Sequence, residues 1–273
     1  IYKLPPGTWM RISEDGTTRT ERYWDVWDYT QPLTGASEDE ISSMLLDELR
    51  TSVRLRKVSD VPVGVFLSGG IDSSTNTALF SEGENQAVKT FAIGYVGEYE
   101  SYKNEVHYAR RMAEHVKAEY YEQLLTQDDL LNFLPRMVHL QDEPIGDPVC
   151  VPVYYVSKLA RDNGVTVCQV GEGSDELFWG YENWRTMLNR QQYLDSLPVP
   201  NVLRKAALPP LAMLGKEKSM KYEWLRRSAE GQPIFWGGVD MMSVYQKDQI
   251  LSPRLRRQFK GLTSWEAIRP IYE

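Results

Sequence analysis

The run Gly-Val-Phe-Leu-Ser-Gly-Gly-Ile-Asp-Ser-Ser at residues 64–74 constrains the fold more than any other part of the chain. Residues 61–67 are apolar and stop abruptly at Ser68-Gly69-Gly70, and Asp72-Ser73-Ser74 then opens a helical pattern. The sequence predicts a strand, a tight glycine turn and a helix start. Glycines let a ligand approach the backbone because no Cβ intervenes. N–H groups at a helix start, with the positive end of its dipole, favour phosphate. Ser68, Ser73 and Ser74 add hydroxyl donors. Asp72 is the odd member, because a carboxylate repels phosphate unless a divalent cation lies between them. The residue types therefore point to Mg²⁺ with a polyphosphate. A plain strand–helix turn capped by Ser and Asp is the simpler alternative.

Around this run, strand and helix patterns alternate. Ser37 and Glu40 form a capping box for a helix to about residue 55. Strands are predicted at 61–67, 88–95, 118–124 and 165–170, and helices at 72–82, 104–116, 127–140 and 151–163. The alternation predicts an α/β fold, an open and mainly parallel sheet with helices on both faces. After Tyr181 the patterns are helical without strands, punctuated at Pro198, Pro200, Pro209-Pro210 and Gly237-Gly238, which predicts a C-terminal helical subdomain at 182–273. Residues 1–30 hold Pro5-Pro6-Gly7, Asp15-Gly16 and Tyr23-Trp24-Asp25, and read as an extended or hairpin segment before a linker at 31–35.

Ligands on open parallel sheets bind at the carboxyl ends of strands. The strand at 165–170 ends like the first, in Gly171-Glu172-Gly173-Ser174-Asp175-Glu176. Two such turns on neighbouring strand ends would let Asp72 and Asp175 share a Mg²⁺, with Glu172 in the same cleft. Helix capping by Asp175 and Glu176 is the alternative.

Together these residues resemble a known family. Leu67-Ser68-Gly69-Gly70-Ile71-Asp72-Ser73-Ser74 is similar to the pyrophosphate loop (PP-loop) of the N-type ATP pyrophosphatases. Asp142-Glu143-Pro144 and Gly171-Glu172-Gly173-Ser174-Asp175-Glu176-Leu177-Phe178 narrow the resemblance to the glutamine-dependent asparagine synthetases. Lys3-Leu4-Pro5-Pro6-Gly7 and Arg22-Tyr23-Trp24-Asp25 look like the end of that family's glutaminase domain and its linker. The resemblance implies an adenine nucleotide alpha hydrolase-like core at about 58–181 within a synthetase domain at 31–273, cut short at its C-terminus. It implies an ATP- and Mg²⁺-dependent amidotransferase ligase of asparagine biosynthesis. A carboxylate, aspartate by default, attacks the α-phosphate, pyrophosphate leaves, and ammonia from a glutaminase domain displaces AMP. By position it assigns Leu67, Ile93, Val170 and Gly171 to adenine, and Ser68, Gly69, Gly70, Asp72, Ser73 and Ser74 to the phosphates. Asp72 and Asp175 fall on the metal-side acids, and Glu172 on a carboxylate that forms or uses the acyl-adenylate, so Glu172 and Asp72 are the catalytic candidates.

Departures from the family pattern accompany it. Val170 stands where a small residue is usual, and Trp179 stands where glycine is usual, either reshaping the acceptor pocket or filling a gap. No cysteine near the start matches the glutaminase nucleophile, and neither Lys247 nor Lys260 has a motif to match the family's late lysine. A fragment of this kind is expected to bind ATP yet turn over poorly.

Composition limits the remaining choices. A net charge of −7 argues against nucleic acid as partner, although residues 182–273 carry 15 Lys and Arg against 9 Asp and Glu. That basic excess fits either solvated helix faces or a surface that meets a phosphate-rich cleft or an acidic partner. No apolar run approaches the roughly 20 residues that cross a bilayer. Cys150 and Cys168 lie in apolar contexts and suggest no disulfide framework, so a cytoplasmic protein is expected, with a homodimer left open. His107, His115 and His139, the later tryptophans, and the pairs Arg226-Arg227 and Arg256-Arg257 read as structural or solvated. The alternatives are the same chemistry on another carboxylate such as a sugar uronic acid, a non-catalytic nucleotide-binding module, and a sulfur-transfer or tRNA-modifying relative.

Overall fold

A computed structural model describes residues 3–97, 105–141, 145, 147, 149–237 and 242–272. By contact the chain divides into two units, Ile1–Gly70 with Ser74–Val170, and Ile71–Ser73 with Gly171–Glu273.

The first unit begins with an antiparallel hairpin of β1 (Thr8–Ile12) and β2 (Thr18–Arg22), in register from Thr8 opposite Arg22 to Ile12 opposite Thr18. Gly16 turns it at φ +80°, and the Asp15 carboxylate accepts the Thr17 N–H at 2.9 Å. A short helix α1 (Val26–Tyr29) follows. The predicted capping box is present, with Ser37 and Glu40 bonded reciprocally at the start of α2 (Glu38–Arg56).

Four parallel strands make the sheet: β3 (Val63–Phe66), β4 (Lys89–Tyr95), β5 (Glu119–Leu125) and β6 (Val167–Gln169), in the order β5-β4-β3-β6. Alternation along β4 shows why helices cover both faces, since neighbouring side chains on a strand point to opposite sides. Ala92 packs with Leu67 against Ala109 and Ala113 of α4 (Val106–His115), whereas Phe91 packs against Val156 and Ala160 of α6 (Cys150–Asp162). On the first of these faces Val53 of α2, and Leu79 and Phe80 of α3 (Ile71–Ser81), enclose Val65. A second capping box, Thr126 with Asp129, opens α5 (Gln127–Leu140). Gly64 sits where β3 is most crowded: a Cβ there would lie 2.8 Å from the Phe91 ring and 3.0 Å from the Lys89 carbonyl.

The second unit is helical throughout its described residues: α7 (Ser174–Phe178), α8 (Glu182–Ser196), α9 (Asn201–Met213), a 3₁₀ turn at Lys216–Lys218, α10 (Met220–Ala229), α11 (Val244–Ile250), α12 (Pro253–Gln258) and α13 (Trp265–Tyr272). Pro209-Pro210 does not break the chain as the sequence suggests but lies inside α9. Each proline withholds an N–H from the helix's hydrogen bonding, while its fixed φ of about −65° is itself compatible with a helix.

Arg226-Arg227 also departs from expectation, because Arg227 is only 2% exposed. Its guanidinium donates to Glu223 Oε1 at 3.0 Å and to the Ile234 carbonyl at 3.2 Å, and lies over the Trp236 ring at 3.4 Å from the centroid. Arg226 bonds the same carboxylate at 2.7 Å and Glu230 at 2.7 Å. Pairing on one helix at spacings of three and four brings these charges together. Burial would raise the Glu223 pKa, but hydrogen bonds and charge from Arg226 and Arg227 outweigh it and hold the carboxyl below its ordinary value.

Two stability predictions follow from these contacts. Gly64→Ala is expected to lower stability by about 1–3 kcal/mol through overpacking, read from urea unfolding of the full chain. Glu223→Gln leaves a buried arginine uncompensated and is expected to cost about 3–5 kcal/mol. Because the folded pKa of Glu223 is depressed, its contribution is complete above the ordinary glutamate value of 4.5 and is lost as pH falls through the folded value. The variant should therefore show a shallower loss of stability on acidification than the parent. An unchanged acid limb would remove Glu223 from this role.

Candidate functional site

The first turn leaves the carboxyl end of β3. Leu67 is 1% exposed and its N–H bonds the Phe91 carbonyl at 2.8 Å, so the strand's pairing runs to the edge of the turn. Gly69 then takes φ +91°, and a Cβ there would stand 2.5 Å from the Glu105 carbonyl and 3.0 Å from the Ala109 nitrogen. Only glycine meets both demands. The Gly70 N–H donates to Ser68 Oγ at 3.3 Å, and Ser74 N–H bonds the Gly70 carbonyl at 3.0 Å as α3 begins. Asp72 stands in the first turn of α3, where the helix dipole favours an anionic group.

The second turn leaves the carboxyl end of β6, the parallel neighbour of β3. Val170 is 50% exposed. Gly171 has its backbone on the first turn of α3, where a Cβ would lie 2.6 Å from the Asp72 carbonyl and 3.0 Å from the Ser73 nitrogen. Gly173 at φ +97° then directs the chain into α7. From the first position of that helix Ser174 donates its hydroxyl to Asp72 Oδ1, across 102 residues of sequence. Beyond α7, Trp179 adopts the left-handed φ of +60°, and the Gly180 N–H bonds the Asp175 carbonyl at 3.1 Å. A Cβ on Gly180 would overlap Asp175 Oδ1 at 1.8 Å, so the backbone there is in direct contact with that carboxylate.

These turns place Asp72, Gly171, Glu172, Gly173, Asp175, Glu176 and Tyr181 around one pocket of about 420 Å³. Among the described residues four carboxylates line it, and no Lys, Arg or His does. The Tyr181 hydroxyl donates to Glu176 Oε1 at 2.7 Å. Its pKa is pushed up to about 12 by that bond, then by burial and by the charges of Glu176, Asp175 and Asp72. Hard carboxylate oxygens of this kind suit Mg²⁺, which commonly takes one or two carboxylates and fills its octahedron with substrate phosphates and water. No group of three or more His, Cys, Asp or Glu that could by itself hold a metal ion is present among the described residues.

Of the residues singled out from sequence, Asp72, Gly171, Glu172 and Asp175 are brought together here. Ser73 lies in the same unit, buried. Leu67, Ser68, Gly69, Gly70, Ser74, Ile93 and Val170 belong to the first unit and are absent from the pocket lining. Ile93 packs beside Phe91 and Val156. Asp142-Glu143-Pro144 lies outside the described residues. Sequence reasoning missed Tyr181 and the bond made by Ser174. Ser174 stood inside the second motif, but only the fold could bring it to Asp72. Cys150 and Cys168 are free thiols, and burial pushes Cys168 up to about 11, well away from a reactive thiolate. No helix among the described residues is long and apolar enough to cross a membrane.

Comparison with known proteins shows the family. The family described as asparagine synthase matches residues 44–266. The chain is 34% identical over 221 residues to asparagine synthetase (glutamine-hydrolyzing) 1 of Bacillus subtilis, covering 79% of this chain and 33% of that protein. It is 34% identical over 291 aligned positions to a putative asparagine synthetase (glutamine-hydrolyzing) of Mycobacterium tuberculosis, covering 97% of this chain and 43% of that protein. The chain thus spans between a third and less than half of these relatives. An NH3-dependent NAD synthetase structure from Campylobacter jejuni aligns over 86% of this chain and 97% of its own at 15% identity, with a TM-score of 0.33, too loose a likeness to carry the argument further. On the family match and the identity to these relatives, the chain belongs to the asparagine synthase family.

Proposed function

We propose that the chain carries the synthetase chemistry of an ATP-dependent amide ligase. A substrate carboxylate oxygen attacks the α-phosphorus of ATP, and the bond to pyrophosphate breaks. Ammonia, supplied by a glutaminase-type domain, then attacks the acyl carbon of the adenylate, AMP leaves, and the amide remains. Aspartate is the default acceptor, giving asparagine. The observation that carries the reading is the acid pocket built where the Asp72 helix start meets the residue 171–176 turn. A pocket whose charged lining, among the described residues, is entirely carboxylate disfavours a bare polyphosphate and suits one accompanied by a cation.

Within this reading Asp72 and Asp175 are the metal-side acids, and Glu172 acts at the acyl-adenylate. When bound, Mg²⁺ would draw off charge that develops on the leaving pyrophosphate. Ser68, Gly69, Gly70, Ser73 and Ser74 are assigned to the phosphates, their N–H and hydroxyl donors preorganised by the glycine turn and the helix start. Leu67, Ile93, Val170 and Gly171 are assigned to adenine. Leu67 would contribute its main chain, because its side chain is buried.

A second reading keeps the chemistry and enlarges the acceptor, for example to a uronic acid. Trp179 favours it, since the ring remains 47% exposed while packed edge-on to Trp184 at 5.7 Å and against Phe235 at 5.8 Å.

ATP–pyrophosphate exchange by the full-length protein, with aspartate and then with uronic acids, tests both readings. Exchange with aspartate supports the first, exchange only with uronic acids supports the second, and exchange with neither removes both. Asp72→Asn is expected to lower exchange by about 100-fold or more, the scale of losing one preorganised electrostatic contact, with the circular dichroism spectrum unchanged. Undiminished exchange in that variant would sink the role given to Asp72.

A further inference from the structure

We propose that Ser174 is a positioning residue that holds the Asp72 carboxylate in the orientation a cation–nucleotide complex requires. The inference rests on the cation-side role given to Asp72 above. Asp72 shares its pocket with Glu172, Asp175 and Glu176. Like charges at close quarters disfavour one another, and a free aspartate side chain would swing away from them. One contact opposes that motion: the Ser174 hydroxyl donates to Oδ1, while the Gly171 backbone packs on the Asp72 main chain.

The backbone that carries the hydroxyl is placed by the turn: Ser174 is the first residue of α7 and follows Gly173, whose φ of +97° turns the chain into that helix. An ionised carboxylate has about four acceptor sites, so one hydroxyl anchors Asp72 and leaves the others for a ligand. The pocket repeats this arrangement once, with Tyr181 donating to Glu176. Glu172 and Asp175 have no hydroxyl donor among the described residues. Ser174 touches only the acid and acts through it.

The test uses the full chain, with Mn²⁺ and ATP as the probe and water-proton relaxation as the readout. Ser174→Ala is expected to weaken Mn²⁺–ATP binding about 10-fold, the scale of a hydrogen bond to a charged group. Ser174→Thr keeps the hydroxyl and is expected to stay within about 3-fold of the parent. Ser174→Cys, close in shape and a weak donor, reports the same loss as alanine and serves if alanine disturbs the turn. In an Asp72→Ala background Ser174→Ala should add nothing, because the two residues act as one unit. A serine variant lacking the hydroxyl that binds like the parent overturns the inference. So do losses that multiply in the double variant, and so does a threonine variant as weak as alanine. A parent protein that binds no Mn²⁺–ATP overturns the reading of the site, and this inference with it. A parent that binds while the serine variants bind equally well overturns this inference alone.

Discussion

Strand β3 is paired on both edges, to β4 on one side and β6 on the other, and everything built at the carboxyl end of the sheet depends on that pairing. Parallel register sends β3 and β6 out of the sheet at the same edge. Two turns separated by about 100 residues in sequence therefore start from adjacent positions, which is where open parallel sheets bind ligands. Gly64 permits this closeness. With any side chain at that position, Phe91 and the Lys89 carbonyl would have to withdraw, and the strand spacing near 4.8 Å would not hold.

The parts of the fold legible in the sequence were those set by local chemistry. Ser37 with Glu40 marked a helix start because both bonds of a capping box are made within four residues. The helix predicted at 127–140 coincides with α5, whose start is fixed by the same device at Thr126 and Asp129. The strands were placed by apolar β-formers and came out shorter at β3 and β6, where only part of each apolar run is paired. Of the site, the sequence offered both glycine turns and three of the four pocket carboxylates. It could not offer the Ser174–Asp72 bond or the Tyr181–Glu176 bond, because neither partner's type or spacing requires the contact. Arg226-Arg227 was misread for a related reason. A pair of arginines on a helix looks solvated until Trp236 and the Ile234 carbonyl cover one of them.

The charge distribution acquires a physical meaning from these contacts. The basic excess of residues 182–273 does not line the acid pocket. Part of it is engaged within the helical unit. Arg227 and Arg226 neutralise Glu223, and Arg204 ties the Leu194 and Leu197 carbonyls to Ser228. Neither solvated faces nor a phosphate-rich cleft describes these arginines. They satisfy buried carbonyls and one buried acid, which is the condition for a charged group to remain in a protein interior. Among the described residues the carboxylates that line the pocket have no such cationic partner.

Trp179 shows how local backbone and pocket are coupled. An L residue in the left-handed region gives up about 1–2 kcal/mol relative to glycine, so the indole must contribute something that glycine would not. Its ring packs with Trp184 and Phe235, and Trp184 in turn packs against Tyr181 at 5.1 Å. Tyr181 holds Glu176, and Gly180, next to Trp179, presses its backbone on Asp175. The strained residue is therefore bonded to the glycine that supports one acid and packed on the ring that supports the holder of another. Relief of that strain by glycine would loosen the aromatic contacts while leaving the carboxylates in place. Trp179 is thus linked to the pocket residue Tyr181 through Trp184 and is not itself among the residues that line the pocket.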